Sequence, residues 1–372
     1  MPDQELAFAR HFADLPDPRV LRTRKHALTD ILVIALCAVV CGADSFEEIA
    51  RFGRARRDWL GRFLALPHGI PSHDTFNRVF AALDRRQFAA RFGGWMAGLA
   101  DRAGLRAIAV DGKACRSAPG DTASGCLHLV SAWAAENGLI LGQEAVADGS
   151  HEIAAIPELL RVLDLKGALV TTDAAGCQKA IAAQIRSQGG DYVLAVKGNQ
   201  PALARAERAA LERAAAADFA GCDLHESSGA GHGRVEERYV AVIPAPAGLP
   251  AGWADAAAVV VVGREREVKG KRTDSTHFYL TSLRATAAEL AGYIRGHWSV
   301  ENGLHWCLDV AFREDENRTR DKNAGANLGA VRRVAASLLK QDPDAGSMHA
   351  KRLNAALDER YLERSLRGFK TN

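Results

Sequence analysis

The spacing of apolar positions divides the chain into a helical N-terminal part and a longer part in which strands and helices mix. Residues 1–100 favour helices throughout. The most apolar run, Ile31 to Cys41, is about half as long as the roughly 20 residues that a membrane helix needs, so it predicts a buried helix. Ser45 is followed three residues later by Glu48, a capping-box pattern that predicts the start of the next helix.

From residue 105 onward the pattern is typical of a mixed α/β domain. Short apolar runs predict strands at 107–110, 127–135, 139–146, 168–172 and 191–196. Asn137-Gly138 lies between the second and third of these runs and is a strong hairpin signal. Helices are predicted over 152–163 and 178–188. Hairpin strands followed by alternating helices and strands indicate a mixed sheet.

The pattern of apolar positions changes again between about 219 and 285. Three further strands are predicted at 235–242, 257–262 and 277–283, separated by turns that contain Gly or Pro, and a helix is predicted from 287 to about 339. We interpret the strands as a β-rich insertion into the α/β domain. The predicted segments are a helical N-terminal domain, the first part of the core, the insertion, the end of the core and a C-terminal tail: 1–100, 101–218, 219–285, 286–340 and 341–372.

Charge alone does not indicate a partner. The chain has 48 Lys+Arg and 45 Asp+Glu, a formal net charge of +3, so a nucleic-acid partner has to be argued from local patches. The basic segment Arg51 to Arg57 lies among short helices and suits a small DNA-contacting domain. For any single arginine in it, a solvated helix face is an equally good interpretation.

The cysteines and the N-terminus point to the cytosol. Seven cysteines without any CxxC pair indicate reduced core thiols rather than a disulfide framework. The N-terminal residues are charged and contain no apolar core of a signal peptide. We therefore expect a cytoplasmic protein that does not insert into a membrane.

Three carboxylates stand out as candidates for chemistry. Asp111 and Asp173 each follow a predicted strand, and strand ends of such sheets commonly bind ligands, although a lone strand-end aspartate more often only caps a turn. Glu301 lies on a predicted helix, on the same side as His297 and His305, which are four residues before and after it. An apolar stripe of Trp298, Leu304 and Leu308 is expected to bury another side of that helix.

Such a set of hard oxygen ligands suits Mg²⁺ better than Zn²⁺. Two Mg²⁺ ions bound by three carboxylates form a site for phosphoryl transfer, with Mn²⁺ as a possible replacement. In such a site, one ion activates the attacking hydroxyl or water and the other stabilises the leaving oxygen.

The sequence around these residues resembles the insertion-sequence transposases of the DDE class, specifically the H-repeat-associated group. The matching stretches run in order over most of the chain: PSHDTFNRVF (71–80), AVDGKACR (109–116), HLVSAWAAENGLILGQEAV (128–146), TTDAAGCQ (171–178), DYVLAVKGNQ (191–200), HGRVEER (232–238) and HWSVENGLHWCLDVAFREDENR (297–318).

The resemblance implies a ribonuclease-H-like core with a β-strand insertion before the helix that bears the glutamate. It places the three catalytic and metal-binding carboxylates at Asp111, Asp173 and Glu301. It also implies a bacterial cytoplasmic enzyme that acts, as a homodimer, on double-stranded DNA with terminal inverted repeats. The spacings, 173 − 111 = 62 and 301 − 173 = 128 residues, leave room for the insertion.

The chain departs from the class at three places. His297 and Leu308 stand where the wider class often has Arg and Lys around the glutamate, and the family's Ser-Asn-Glu stretch reads Ser150-His151-Glu152. We expect DNA contacts from the cations that follow the strand ends or the catalytic helix, together with the histidine that replaces the arginine: Lys113, Lys197, His297, Arg318, Arg320 and Lys322.

Four alternatives stay open at this stage. His297, Glu301 and His305 form a weak candidate for a zinc site, although their spacing is not that of His-Glu-x-x-His. Glu314 to Glu316 compete with Glu301 for the metal, but their basic neighbours favour a salt-bridged, solvated face. The third alternative is a metal-dependent nuclease that cuts without joining. The fourth is a non-mobile relic or regulator that only binds DNA.

Overall fold

The computed structural model describes residues 11–12, 14–100, 107–119, 126–147, 150–231, 234–268 and 270–367. It divides into two compact units, each assembled from separate stretches of chain. The first unit contains residues 1–105, 112–163 and 300–372, and the second contains residues 106–111 and 164–299. The segment boundaries predicted from the sequence follow chain order instead, and they stay predictions.

The elements are as follows. The α-helices are α1 (Leu28–Val40), α2 (Phe46–Ala55), α3 (Arg57–Leu60), α4 (His73–Ala82), α5 (Arg85–Ala100), α6 (Glu152–Arg161), α7 (Lys179–Ser187), α8 (Pro201–Ala216), α9 (Ala287–His297), α10 (Trp306–Val310), α11 (Lys322–Lys340), α12 (Met348–Leu357) and α13 (Glu359–Leu366). The strands are β1 (Ala107–Pro119), β2 (Cys126–Ala134), β3 (Leu139–Ala145), β4 (Leu169–Thr172), β5 (Asp191–Val196), β6 (Asp223–Gly231), β7 (Arg234–Pro244), β8 (Ala258–Val268) and β9 (Lys271–Thr281). Shorter turns are the 3₁₀-helices Leu21–Thr23 and Glu314–Glu316 and the π-helix Val300–His305.

The first unit is built around α11, which is buried on all sides. Every residue from Ala324 to Leu339 is buried, and the helix packs against α1, α4, α5 and the β2–β3 hairpin. Its polar side chains have partners in the core: the amide of Asn327 donates to the carbonyl oxygens of Phe80 and Leu83, at 2.8 and 3.1 Å. These bonds satisfy carbonyl groups at the C-terminal end of α4, which the helix itself leaves unpaired.

Local signals in the first unit match the predictions. α1 is buried, as its apolar sequence predicts, and Ser45 forms the predicted capping box with Glu48. β2 and β3 pair antiparallel, and Gly138 in their connecting turn has a φ of +63°, a conformation that glycine adopts without strain. In this unit the strand order is β3-β2-β1.

The second unit contains a large mixed sheet. Its strand order is β1-β4-β5-β9-β8-β7-β6, in which β1, β4 and β5 run parallel and the following pairs are antiparallel. Helix α9 buries Ala287, Leu290 and Ile294 against Val240, Tyr279 and other residues of one face of this sheet. The protein is thus an α/β protein with a helical N-terminal region, as predicted, while the ribonuclease-H-like topology stays a prediction.

Three expectations about elements were wrong. The predicted continuous helix from 287 to about 339 is broken into α9, the π-helix, α10, a 3₁₀ turn and α11. The strands of the insertion extend well beyond their apolar parts, and β6 was not predicted at all. Helix α8 was also missed, although it begins with Pro201 in its first turn and is rich in Ala, Glu and Arg.

The cysteines are all free, and Cys37, Cys115, Cys177 and Cys307 are buried, which fits the expectation of reduced core thiols. Among the residues that the structure describes, every helix is too short or too polar to cross a lipid bilayer.

Candidate functional site

Asp111 and Asp173 lie at the same edge of the sheet in the second unit. β1 and β4 are parallel neighbours, and Val110 is paired with Thr172, so the next residue of each strand is an aspartate at the same level. Both aspartates are half-buried. The expectation that the first strand ends at Asp111 was wrong, because β1 continues to Pro119; Asp111 instead marks the point where the pairing of β1 with β4 stops.

Asp173 is held by the turn that follows β4. Its Oδ1 accepts hydrogen bonds from the backbone N–H groups of Ala175 and Gly176, at 2.9 and 3.2 Å. A Cβ atom on Gly176 would lie 2.6 Å from Cβ of Thr172, so this turn requires glycine. Asp173 therefore does cap a turn, and the same bonds fix the orientation of its carboxylate.

His297 lies beside Asp173 as a neutral imidazole. Its Nδ1 is 3.0 Å from Oγ1 of Thr171, which fixes the ring. Burial lowers the pKa of His297 to about 4, and the nearby carboxylate of Asp173 opposes this only in part. The ring is therefore uncharged at neutral pH, so any contact with phosphate is a hydrogen bond rather than an ion pair. Thr171 was not singled out from the sequence, although it stands two residues before Asp173 and thus on the same face of its strand.

Glu301 belongs to the first unit and is exposed. It lies on the π-helix Val300–His305, whose wider turn breaks the regular four-residue spacing that we used to place His297, Glu301 and His305 on one side. The expected buried stripe is partly wrong: Leu304 and Leu308 are fully buried, but Trp298 is 44% exposed and Val300 is buried instead. The convergence of Glu301 with the two aspartates stays a prediction.

Lys113 is buried rather than presented to a ligand. Its Nζ lies 2.7 Å from Oδ1 of Asp309, 3.1 Å from Oδ1 of Asp315 and 3.5 Å from Oε2 of Glu314. Burial alone would lower the pKa of the ammonium group, but these carboxylates, Glu314 foremost, hold it above its usual value. A cation surrounded in this way by carboxylates is poorly placed to contact DNA phosphate, which argues against the role that we expected for Lys113.

The acidic segment Glu314–Glu316 is salt-bridged as expected, but only part of it is solvated. Glu314 is 1% exposed and its Oε1 accepts a hydrogen bond from Nη1 of Arg333 at 2.6 Å. Although burial opposes it, the positive charges of Arg333 and Lys113 hold the pKa of Glu314 at about 2. Glu316 is exposed and pairs with Arg313. Glu314 is therefore part of the core and a poor competitor of Glu301 for a metal.

The other predicted DNA contacts differ in exposure. Lys197 directly follows β5 and is exposed, and Arg318 and Arg320 are exposed as well. The two arginines line a cavity of about 740 Å³ in the first unit, whose wall also contains Asp44, Ser45, Phe46 and Glu48. Lys322 is half-buried at the first position of α11.

Glu152 packs against Gly112; it belongs to the stretch Ser150-His151-Glu152, in which His151 is the residue that departs from the family pattern. A Cβ atom on Gly112 would lie 2.4 Å from Oε1 of Glu152, so the carboxylate packs directly against the backbone that follows Asp111. Oε2 of Glu152 lies 3.8 Å from Nε2 of His128, whose pKa is lowered by burial. Glycine at 112 makes this close approach possible.

The donor atoms suit a hard divalent cation only in part. The two aspartates that follow the last paired residues of β1 and β4 offer carboxylate oxygens, which Mg²⁺ prefers. Within the described ranges, however, no three His, Cys, Asp or Glu side chains form a group that could hold an ion. This finding gives no support to the zinc alternative with His297, Glu301 and His305.

Comparison with known proteins identifies the family to which the chain belongs. Residues 102–336 match a family model described as "Transposase DDE domain", and residues 9–96 match one described as "DDE_Tnp_1-associated". The chain is 37% identical to "Putative transposase YncI" of Escherichia coli O157:H7, over 96% of this chain and 95% of that protein. It is 36% identical to "H repeat-associated putative transposase YhhI" of Escherichia coli strain K12, over 96% of this chain and 97% of that protein. The chain therefore belongs to the family of proteins with a transposase DDE domain, and specifically resembles its H-repeat-associated members.

Proposed function

We propose that the protein is a DNA transposase that cleaves DNA at the ends of an insertion sequence and joins the ends to a target, in a ribonuclease-H-like core. The observation that carries the proposal is the pairing of Val110 with Thr172, which brings Asp111 and Asp173 to one edge of a parallel strand pair in a chain of this family. Relatives over nearly the whole length are named as transposases, which supports DNA as the substrate.

In this proposal Asp111, Asp173 and Glu301 hold two Mg²⁺ ions, which Mn²⁺ can replace. When bound, the ions activate the attacking hydroxyl and stabilise the leaving oxygen. The chain contributes the fixed positions: the turn at Ala175 and Gly176 orients the carboxylate of Asp173. Thr171 orients the neutral ring of His297 beside it, which can donate or accept one hydrogen bond at the substrate through Nε2.

The substrate is double-stranded DNA with terminal inverted repeats, bound by a homodimer. The exposed cations Lys197, Arg318 and Arg320 contact phosphates, with Lys322 beside them, because cations on phosphate supply most of the affinity for DNA. Lys113 acts differently, as a positioning residue. It anchors β1 two residues after Asp111, and its partner Asp309 lies in α10, directly after the π-helix that carries Glu301.

Cutting and joining a labelled insertion-sequence end tests the proposal. With Mg²⁺ or Mn²⁺ we expect a cleaved 3′ end that becomes joined to a target duplex, and with a chelator we expect neither product. A product that is only hydrolysed would identify a nuclease. Cleavage in the presence of the chelator would contradict the metal-dependent mechanism.

A further inference from the structure

The outer part of the sheet in the second unit separates its charges by face. β7, β8 and β9 are antiparallel neighbours in continuous register, in which Arg238 pairs with Arg264 and Glu236 pairs with Arg266. Directly paired residues lie on the same face, and side chains alternate between faces along each strand. Arg238, Arg264 and Arg266 therefore share one face, which we call the basic face.

The register adds further cations to the basic face, together with two acids. Lys271 pairs with Val268 and His277 with Val262, both on the same face as Arg264 and Arg266. One acid is Glu236, which is 4% exposed and pairs with Arg238 at 2.9 Å and with Arg264. The other is Asp223 at the start of β6, whose Oδ2 accepts a hydrogen bond from the backbone N–H of Ala287 at 2.7 Å. One buried carboxylate thus holds two guanidinium groups in place while the face keeps an excess of positive charge.

The opposite face is acidic. By the same alternation it carries five carboxylates and one arginine: Glu226, Glu237, Glu265, Glu267, Asp274 and Arg272. Arg272 bonds Glu267 at 3.0 Å, so its charge is already neutralised. A polyanion is therefore attracted to one face of this sheet and repelled by the other.

The basic face is also the face on which Asp173 and His297 lie. Helix α9 covers Val240, Val262 and Tyr279, which have the same orientation as the arginines. His297 ends this helix and is bonded to Thr171 beside Asp173. Lys197, which follows β5, lies opposite His277, because Val196 is paired with Phe278 in the antiparallel β5–β9 pair. Positive groups thus continue along this face from the strand next to β4 outward.

Arg266 on the basic face still has a hydrogen-bond donor that the described part of the chain leaves unpaired. Its Nε is buried and has no hydrogen-bond partner among the described residues. Because this nitrogen is not bonded to any carboxylate that the structure describes, the guanidinium group keeps its charge available to an anion that reaches its outer nitrogens. Arginine is also the cation best suited to phosphate, through its planar, forked donors.

We propose that the basic face binds the phosphate backbone of the DNA duplex beyond the Asp111–Asp173 edge, with Arg238, Arg264, Arg266 and Lys271 as the contacts. β7 is four strands away from β4, which at about 4.8 Å per strand is about 19 Å. At 3.4 Å per base pair this corresponds to about six base pairs of duplex. The inference rests on the proposed function for the nature of the partner.

The test measures binding of a labelled random-sequence duplex in a chelator over a series of salt concentrations. The main variant is Arg266→Gln/Lys271→Gln, which leaves both ion pairs of Glu236 in place. Each lost phosphate contact lowers the salt slope by about 0.9, so the double variant loses about 1.8. If the two proteins bind equally at 1 M salt, this amounts to a loss of about 60-fold in affinity at 0.1 M.

Arg272→Gln is the matched control, because it removes one positive charge from the acidic face of the same strands and should leave the slope unchanged. A second variant, Glu236→Gln/Arg238→Gln/Arg264→Gln, removes the buried acid together with its partners and should lower the slope by about 1.8 as well. A melting temperature close to that of the wild type is the check that each variant is folded. A main variant that binds like the wild type, or a control that loses as much, would overturn the proposal.

Since binding is measured in a chelator, this test is separate from that of the proposed reaction. A wild type that binds with the expected slope and a main variant that does not would support the basic face even if no cleavage occurred. A wild type that cuts and joins DNA, together with a main variant that binds normally, would reject the basic face and leave the proposed function intact.

Discussion

Replacing Glu207 by Gln should stabilise the protein increasingly as the pH rises. Glu207 lies on α8 in line with Leu203, Ala210 and Ala214, the buried side of that helix, and is itself 0% exposed. Neither of its carboxylate oxygens has a hydrogen-bond partner among the described residues. Burial of the unpaired group raises the pKa of Glu207 from 4.5 to about 8.

The direction of the pH dependence follows from the pKa of Glu207 in the unfolded and in the folded protein. An unfolded chain releases this proton near pH 4.5, whereas the folded protein retains it up to about pH 8. The contribution of Glu207 to folding stability is therefore fully present below pH 4.5 and is lost as the pH rises towards 8. At about 1.4 kcal/mol per pKa unit, the loss is about 3 kcal/mol by pH 7 and about 5 kcal/mol above pH 8. Glutamine at 207 does not titrate and removes this dependence.

The assay is urea denaturation followed by circular dichroism between pH 5 and pH 8. We expect the free energy of unfolding of Glu207→Gln, minus that of the wild type, to grow by about 1.4 kcal/mol per pH unit. Glu212→Gln is the control, because Glu212 is exposed on the same helix, and its difference should stay constant. A constant difference for Glu207→Gln as well would show that the carboxylate is solvated or paired, and would refute the reasoning.

Three further predictions concern the surroundings of the candidate site. Lys113→Met should destabilise the protein by about 3–5 kcal/mol in urea denaturation, since it leaves buried Glu314 with one cation fewer. Arg313→Gln, which breaks an exposed ion pair, should have a much smaller effect. Equal effects would contradict the burial of Lys113. Gly112→Ala should lower the melting temperature because its Cβ meets Glu152, and Gly112→Ala/Glu152→Ala should recover part of that loss; no recovery would argue against this clash. DNA binding should show no titration from His297 between pH 5.5 and 8, since its pKa is about 4, so wild type and His297→Gln should have parallel pH profiles; a step present only in the wild type would contradict a neutral ring.

The central strands could be predicted from the sequence because they are buried on both sides. β4 and β5 are parallel strands and read as short, continuous apolar runs, and β5 was predicted at Asp191–Val196, as the structure has it. Asp111 directly follows the apolar run 107–110 of β1, and Asp173 directly follows β4, so two of the three candidate carboxylates follow from local sequence.

What could not be predicted depends on contacts between distant parts of the chain. Lys113 looked like an exposed cation after a strand, but its partners Asp309 and Asp315 lie about 200 residues away. The π-helix that carries Glu301 has no periodic signal, since its apolar positions fit an ordinary helix equally well.

The outer strands of the insertion did leave a signal that hydrophobicity alone does not detect. Arg264, Glu265, Arg266 and Glu267 alternate in charge, which is the two-residue period of a strand. We ended the predicted strand at 262, where the valines end, whereas β8 continues to Val268. Charge alternation could therefore have predicted both the longer strand and its basic face.

The most direct test of the account is strand cleavage by Asp111→Asn, Asp173→Asn and Glu301→Gln, each measured beside DNA binding. Every substitution removes one charge and keeps the shape of the side chain, and Glu316→Gln at an exposed carboxylate is the control. The account predicts that all three variants lose cleavage by orders of magnitude while they bind DNA nearly as the wild type does, and that Glu316→Gln cuts normally. Cleavage by Glu301→Gln at a near-wild-type rate would remove Glu301 from the site, and cleavage by either aspartate variant would contradict the central claim.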